Sequence, residues 1–164
     1  MLSARRRVSK MSEFTVALAA EADTVRLGAA VAAQVKRGDV IALHGPLGAG
    51  KTTLARGLVH SLTDTDEEIV SPTFTLAQMY ETPRGVVWHF DLYRLKSADE
   101  ALEIGIEEAF TDGISLIEWP ERLGTLLPKK RLDIYLSHDG SGRKALLSGA
   151  SWDDRLPEVV KHVG

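Results

Sequence analysis

The chain has 164 residues, 44% hydrophobic and 26% charged, a balance that suits one α/β domain with a sizeable core and is too short for two. It has no cysteine, which excludes disulfides, thiolate metal sites and thiol nucleophiles, and no apolar run of membrane-spanning length. A net charge of −3 speaks against a broad basic nucleic-acid surface, so any role in RNA biology is expected to run through partners.

The opening MLSARRRVSK is basic, but no apolar segment of a secretory signal follows it. Residues 1–10 are set aside as a disordered tail, with Met11 as an alternative start, and residues 11–164 form the predicted domain. EFTVAL, Glu13 to Leu18, reads as a first strand. A helix is predicted from about Thr24 to Arg37, with Leu27, Val31 and Val35 as its apolar stripe and Gly38 as its stop. VIAL, Val40 to Leu43, is apolar without alternation, as expected of a strand buried on both faces. After the loop that follows, Leu54, Leu58 and Leu62 recur with helical spacing.

The loop between this strand and helix carries the clearest chemistry. In HGPLGAGKTT, residues Gly45, Gly50, Lys51 and Thr52 satisfy G-x-x-x-x-G-K-[ST] in its required strand–loop–helix context. Glycines let backbone N–H groups curl around a phosphate without a Cβ in the way, and the helix N-terminus adds unsatisfied N–H groups. Gly45, Pro46, Leu47, Gly48, Ala49, Gly50, Lys51, Thr52 and Thr53 are therefore the candidate nucleotide-binding loop. Lys51 is assigned to the β- and γ-phosphates and the Thr52 hydroxyl to Mg²⁺.

Thr63 to Glu68 is a polar, acidic loop, and IVSPTFTLAQMY reads as an extended piece bent at Pro72 and continued by a strand. The turn TPRG, Thr82 to Gly85, leads into VVWHFDLYR, a strand pairing back in antiparallel fashion. Strand alternation places Trp88 and Phe90 inward and His89 and Asp91 outward. SADEALEIGIEEAF opens on a capping box, Ser97 and Glu100, and reads as two short helical pieces broken near Gly105. GISLIEWP is a buried strand ending in an acid, RLDIYLS and KALLSG form a hairpin, and SWDDRLPEVVKHV is a C-terminal helix disturbed by Pro157. LSGAS, Leu147 to Ser151, follows the ISLIE strand and is read as a turn, although it looks like the signature of ABC transporter ATPases.

A phosphate-binding loop alone names no reaction; a second support for Mg²⁺ and a group to handle the nucleophile are also needed. Glu118, at the end of an apolar strand, fits the first role, and Trp119 follows at an edge where α/β sheets bind ligands. Asp91 fits the second, as a base or as a carboxylate that orients a water. His89 reads as packing or as an orienting partner rather than a metal ligand. Thr73, about twenty residues beyond the loop, stands where a switch threonine closes on Mg²⁺ in GTPase-like folds. A competing reading is a small-molecule kinase, with Asp91 as base and Arg84 and Arg94 binding an acidic substrate, but it lacks an arginine-rich lid after Ser97. A third is a nucleotide-gated binding module without turnover.

GPLGAGKTT, SPTF, HFDLYRL, EIGIEEAF and LIEWPERL, in this order, closely resemble the TsaE (YjeE) family over about residues 13–150. The resemblance implies an α/β fold of the P-loop NTPase type: a three-layer sandwich with a mixed central sheet and helices on both faces. It implies a cytoplasmic, monomeric Mg²⁺-dependent ATPase that turns ATP into ADP slowly when alone. It also implies docking on the TsaB–TsaD pair, in which TsaD transfers the threonylcarbamoyl group to the tRNA adenosine beside the anticodon. The protein itself would not be the transferase, would meet tRNA only indirectly, and would reset that complex between turnovers. Carried over, Lys51 and Thr52 serve phosphate and Mg²⁺, Thr73 belongs to a switch loop, and Asp91 is an essential carboxylate. Glu118 supports the metal, Trp119 lies at the nucleotide, and Thr24 and Arg143 are further candidates for nucleotide contacts. The common GDLGAGKTT reads GPLGAGKTT here, so Pro46 removes one N–H from the loop.

Overall fold

The computed structural model describes residues 12–63 and 76–163. Its strands are β1 (Glu13–Leu18), β2 (Val40–His44), β3 (Ala77–Thr82), β4 (Gly85–Asp91), β5 (Ile114–Glu118), β6 (Leu132–Asp139) and β7 (Gly142–Ser148). Its α-helices are α1 (Glu21–Ala32), α2 (Lys51–Leu62), α3 (Ala98–Glu103), α4 (Ile106–Asp112) and α5 (Leu156–Val163), with a 3-10 stretch at Pro120–Leu126. The strands form one mixed sheet in the order β1-β7-β6-β2-β5-β4-β3. The centre is parallel, with β2 between β5 and β6 and β5 beside β4, while β3 and β7 return as antiparallel hairpin partners and β1 closes the other edge antiparallel to β7. This is the α/β architecture and mixed sheet that the sequence predicts.

Each face of the sheet has its own core. On one, Ile41, Leu43, Val87, Leu116 and Ile134 pack against α1, α2 and α5 through Leu27, Val31, Leu54, Leu58 and Val159. On the other, Val40, Trp88, Phe90 and Ile117 pack against α3, α4 and the 3-10 stretch through Ala101, Ile106, Ala109 and Leu123. The second layer reaches only the β2–β5–β4 half of the sheet; on β6, Tyr135 is left 42% exposed. Among the described residues no helix is long and apolar enough to cross a membrane.

The alternation predicted for β4 is correct, but its polarity is not. Trp88 and Phe90 share a face and stack with ring centroids 5.9 Å apart. His89 and Asp91 share the other face, yet they are 0% and 6% exposed, because that face is covered by a helical layer rather than by water. The strand also ends at Asp91, so Arg94 lies beyond it in the following turn.

Three helices differ from expectation at their ends, each for a local reason. α1 starts at Glu21, where the Asp23 carboxylate accepts the Ala20 N–H at 3.0 Å, and it stops at Ala32 rather than Arg37. Arg84 donates to the carbonyls of Ala32, Ala33 and Val35 at 3.1–3.3 Å, so the helix end is satisfied by a side chain and needs no glycine. At α3 the expected capping box is replaced: Glu100 accepts the N–H of Lys96 at 2.9 Å and Ser97 makes no side-chain cap bond. Pro157 does not disturb α5, since it falls in the first turn, where its missing N–H has no partner to lose.

The site depends on how closely α1 and α2 pack. A Cβ on Gly28 would lie 2.3 Å from the Leu54 carbonyl oxygen and 2.8 Å from the Leu58 nitrogen, and one on Gly57 would lie 2.6 Å from the Val25 carbonyl oxygen. These neighbours are backbone atoms and cannot rotate away. Gly28→Ala or Gly57→Ala is therefore expected to push the helices apart and cost about 1–3 kcal/mol, despite the better helix propensity of alanine. In a thermal melt that is a drop of roughly 2–4 °C per kcal/mol for a domain of this size. An unchanged or higher melting temperature would contradict the close approach.

Candidate functional site

The loop after β2 folds as its glycines allow. At Gly45 φ is +146°, and a Cβ there would lie 2.5 Å from the Leu136 carbonyl oxygen, so β6 and the loop approach at backbone contact. The Ala49 N–H closes a turn onto the Pro46 carbonyl at 3.2 Å. Gly50, at φ +105°, is the residue before α2, which starts at Lys51. The first-turn N–H groups of α2 thus emerge directly from the loop, a ready site for an anion.

Lys51 is only 5% exposed. Its Nζ donates to the Gly45 carbonyl at 2.6 Å and sits 3.3 Å from the centre of the Trp119 ring. Burial pushes the Lys51 ammonium below its usual range, against the opposing pull of Glu118, Glu121 and Asp91. Trp119 reaches the lysine because it leaves β5 in the left-handed conformation, φ +60° and ψ +50°, which is costly for a bulky residue. Its ring also meets Tyr93 at 5.0 Å between centroids.

The carboxylates come from adjacent strand ends. In the parallel β4–β5 register Asp91 lies opposite Glu118, and β2–β5 pairing puts Leu43 opposite Glu118 as well. The Thr52 hydroxyl donates to Glu118, 3.0 Å from Oε1 and 3.2 Å from Oε2, joining residues 66 apart in the chain. Glu118 is 2% exposed, and its Oε2 also lies 2.7 Å from His89 Nε2. Asp91 Oδ1 accepts the Tyr93 N–H at 3.1 Å, an Asx-type turn that ends the strand and aims the carboxyl group.

These groups border one cavity of about 520 Å³. Of the residues singled out from sequence, Leu47, Gly48, Gly50, Lys51, Thr52, Thr53, Asp91, Glu118, Trp119, Thr24 and Arg143 line it. Thr24 is buried at 3%, and its Cγ2 would lie 3.5 Å from a Cβ on Gly50. Arg143, at the start of β7, donates to the Gly48 carbonyl at 3.1 Å across 95 residues. Gly45, Pro46 and Ala49 shape the loop from behind without facing the cavity. Thr73 lies outside the described residues. Arg84 is turned away from any substrate role: it binds the carboxyl end of α1, whereas the cavity lies at the helix's amino end, on Glu21 and Thr24.

Sequence reasoning missed the other walls. The β1–α1 turn, Leu18 to Glu21, and the β6–β7 turn, Ser141 and Gly142, face the loop only because β1 and β7 fold back beside β6. Tyr93 had a signal, since it stands two residues after Asp91 in the motif already noted.

Comparison with known proteins gives the family of the chain. The family model for threonylcarbamoyl adenosine biosynthesis protein TsaE matches residues 18–145. The tRNA threonylcarbamoyladenosine biosynthesis protein TsaE of Rickettsia bellii is 40% identical over 119 residues, which are 73% of this chain and 83% of that one. The protein of the same name from Treponema pallidum is 38% identical over 125 residues, 76% of this chain and 91% of its own. Among solved structures, Bacillus subtilis YdiB is similar with a TM-score of 0.77 and 28% identity, covering 94% of this chain and 99% of that one. The chain belongs to the TsaE family of tRNA threonylcarbamoyladenosine biosynthesis.

Proposed function

We propose that this protein binds ATP with Mg²⁺, hydrolyses it slowly by itself, and spends that hydrolysis on a TsaB–TsaD partner pair in the cytoplasm during tRNA threonylcarbamoyladenosine synthesis. The observation that carries the reading is the Thr52–Glu118 hydrogen bond beside Lys51. It joins the phosphate-loop hydroxyl to the acid at the end of the neighbouring core strand, the arrangement that holds Mg²⁺ in P-loop NTPases.

The residues fit a nucleotide phosphate chain with its metal. Gly48 and Gly50 have positive φ and bring no side chain into the cavity. Lys51 supplies the cation, and the first turn of α2 supplies N–H donors. The Thr52 hydroxyl and the Glu118 carboxylate are hard oxygen donors of the kind Mg²⁺ takes alongside phosphate oxygens. When bound, the metal neutralises charge that builds up on the phosphate oxygens during transfer.

The chain's own groups then divide the work. Lys51 holds phosphate and shields its charge in a place already shut from water. Asp91, its Oδ1 pinned by the Tyr93 N–H, is the carboxylate that accepts a hydrogen bond from the attacking water. Trp119 closes the cavity over the lysine. The arginine on the described wall is Arg143, and its guanidinium is occupied with the carbonyls of Gly48 and Gly142.

Three outcomes test this. Asp91→Asn should keep ATP affinity in calorimetry and lose hydrolysis; normal phosphate release would move Asp91 to a structural role. Lys51→Met should lose nucleotide binding, and its stability relative to wild type should depend on pH. Because folding lowers the Lys51 pKa, the charged lysine burdens the folded state fully below that folded value and not at all above the usual 10.5. Wild type should therefore gain on Lys51→Met as the pH rises from neutrality towards 10.5, and a pH-independent difference would contradict the buried-cation account. Finally, an arginine finger is worth roughly 10³–10⁵ in rate, and turnover by the isolated chain should be slow and should accelerate with TsaB and TsaD homologues. Fast turnover that ignores those partners would refute partner dependence.

A further inference from the structure

His89 has no role in the account above, yet its position is unusual. It is fully buried on β4, beneath the same helical layer that covers Glu118 on β5. Its Nε2 lies 2.7 Å from Glu118 Oε2, while its Nδ1 is a buried atom with no hydrogen-bond partner among the described residues. A buried polar atom without a partner costs free energy, and an apolar side chain of similar size would fill the space without that cost. What an apolar residue cannot do is bond the Glu118 carboxylate from behind. The parallel register sets His89 opposite Leu116, two residues before Glu118, so the imidazole reaches along the sheet towards the strand end. Glu118 thereby lies between two hydrogen-bond partners: the Thr52 hydroxyl at the cavity and the imidazole in the core.

We infer that His89 is a positioning residue, whose Nε2–H fixes the Glu118 carboxylate in the orientation in which Glu118 and Thr52 together receive the nucleotide-bound divalent cation. The inference rests on the reading of Glu118 as the metal-side acid. A carboxylate bonded in this way accepts, so the ring nitrogen that faces it, Nε2, is the one that carries a hydrogen. Partners of this kind behind a metal-side group typically contribute about 10–100-fold in metal affinity or activity.

The test uses the full chain as wild type, His89→Gln, His89→Asn, His89→Phe and Glu118→Gln. Two quantities are read: Mn²⁺ affinity of the ADP-loaded protein by electron paramagnetic resonance, and ADP affinity in EDTA. His89→Asn and His89→Phe should weaken Mn²⁺ binding by about 10–100-fold and leave metal-free ADP affinity unchanged. His89→Gln, whose amide nitrogen reaches the place of Nε2, should restore most of the loss. A packing role alone would lower melting temperature without separating Mn²⁺ from ADP. If Glu118→Gln weakens Mn²⁺ binding while His89→Asn does not, His89 only fills space and the inference is wrong. If Glu118→Gln has no effect either, the metal reading of Glu118 fails first. Imidazole ¹⁵N spectra of the nucleotide-free wild type give an independent check, needing no metal. Protonation at Nε2 is expected, and a ring whose only hydrogen is on Nδ1 would overturn the inference even if every variant misfolded.

Discussion

Parallel pairing of β2 with β5 and of β5 with β4 is the constraint from which the site follows. Parallel strands all present their carboxyl ends at one edge, so the chain leaves β2, β4 and β5 on the same side. The β2–α2 loop, Asp91 and Glu118 meet there without any of them being close in sequence. Register does the fine placement, with Leu43 and Asp91 both opposite Glu118. A slip of one residue in β5 would turn Glu118 to the opposite face of the sheet, away from α2 and Thr52. The glycine contact between α1 and α2 then sets Thr24 against Gly50 and brings the amino end of α1 to the cavity.

That edge concentrates charge where water is scarce. Lys51, Asp91 and Glu118 are each at most 6% exposed, and His89 is wholly buried. In such a place an unpaired charge is expensive, and the groups are accordingly tied to one another or to backbone: lysine to the Gly45 carbonyl and the Trp119 ring, glutamate to Thr52 and His89, aspartate to the Tyr93 N–H. The left-handed backbone of Trp119 belongs to the same economy, since it turns the ring over the lysine. The resulting cluster is held in place by its own contacts, so a ligand received there would meet groups that are already ordered.

Local pattern made much of this legible. The apolar run of β2, the glycines and Lys51–Thr52 identify the loop because their spacing carries its own mechanism, and Glu118 is readable because it ends an unbroken apolar strand. β1 and the hairpins are likewise written in alternation and turn residues. What pattern could not supply was what covers each face. His89 and Asp91 read as outward because polar residues usually face water, whereas here α2 and its neighbours lie over them. The competing kinase reading gave Arg84 to an acidic substrate because nothing local reveals that the end of α1 lies within its reach. Ser97 and Glu100 had the spacing of a capping box, but the glutamate found the Lys96 N–H instead. The far walls at Ser141 and at Leu18 to Glu21 depend on β1 and β7 folding back, which is long-range information.

The central claim is that Thr52 and Glu118 act as one unit towards a nucleotide-bound metal. A double-mutant cycle on ATP affinity, with Thr52→Val, Glu118→Gln and the pair, measured with Mg²⁺ and again in EDTA, tests it most directly. The account predicts strong coupling between the two changes in Mg²⁺, with the double variant little worse than either single one, and almost no effect of any of them in EDTA. Losses that add in Mg²⁺, or that are as large without metal, would contradict it.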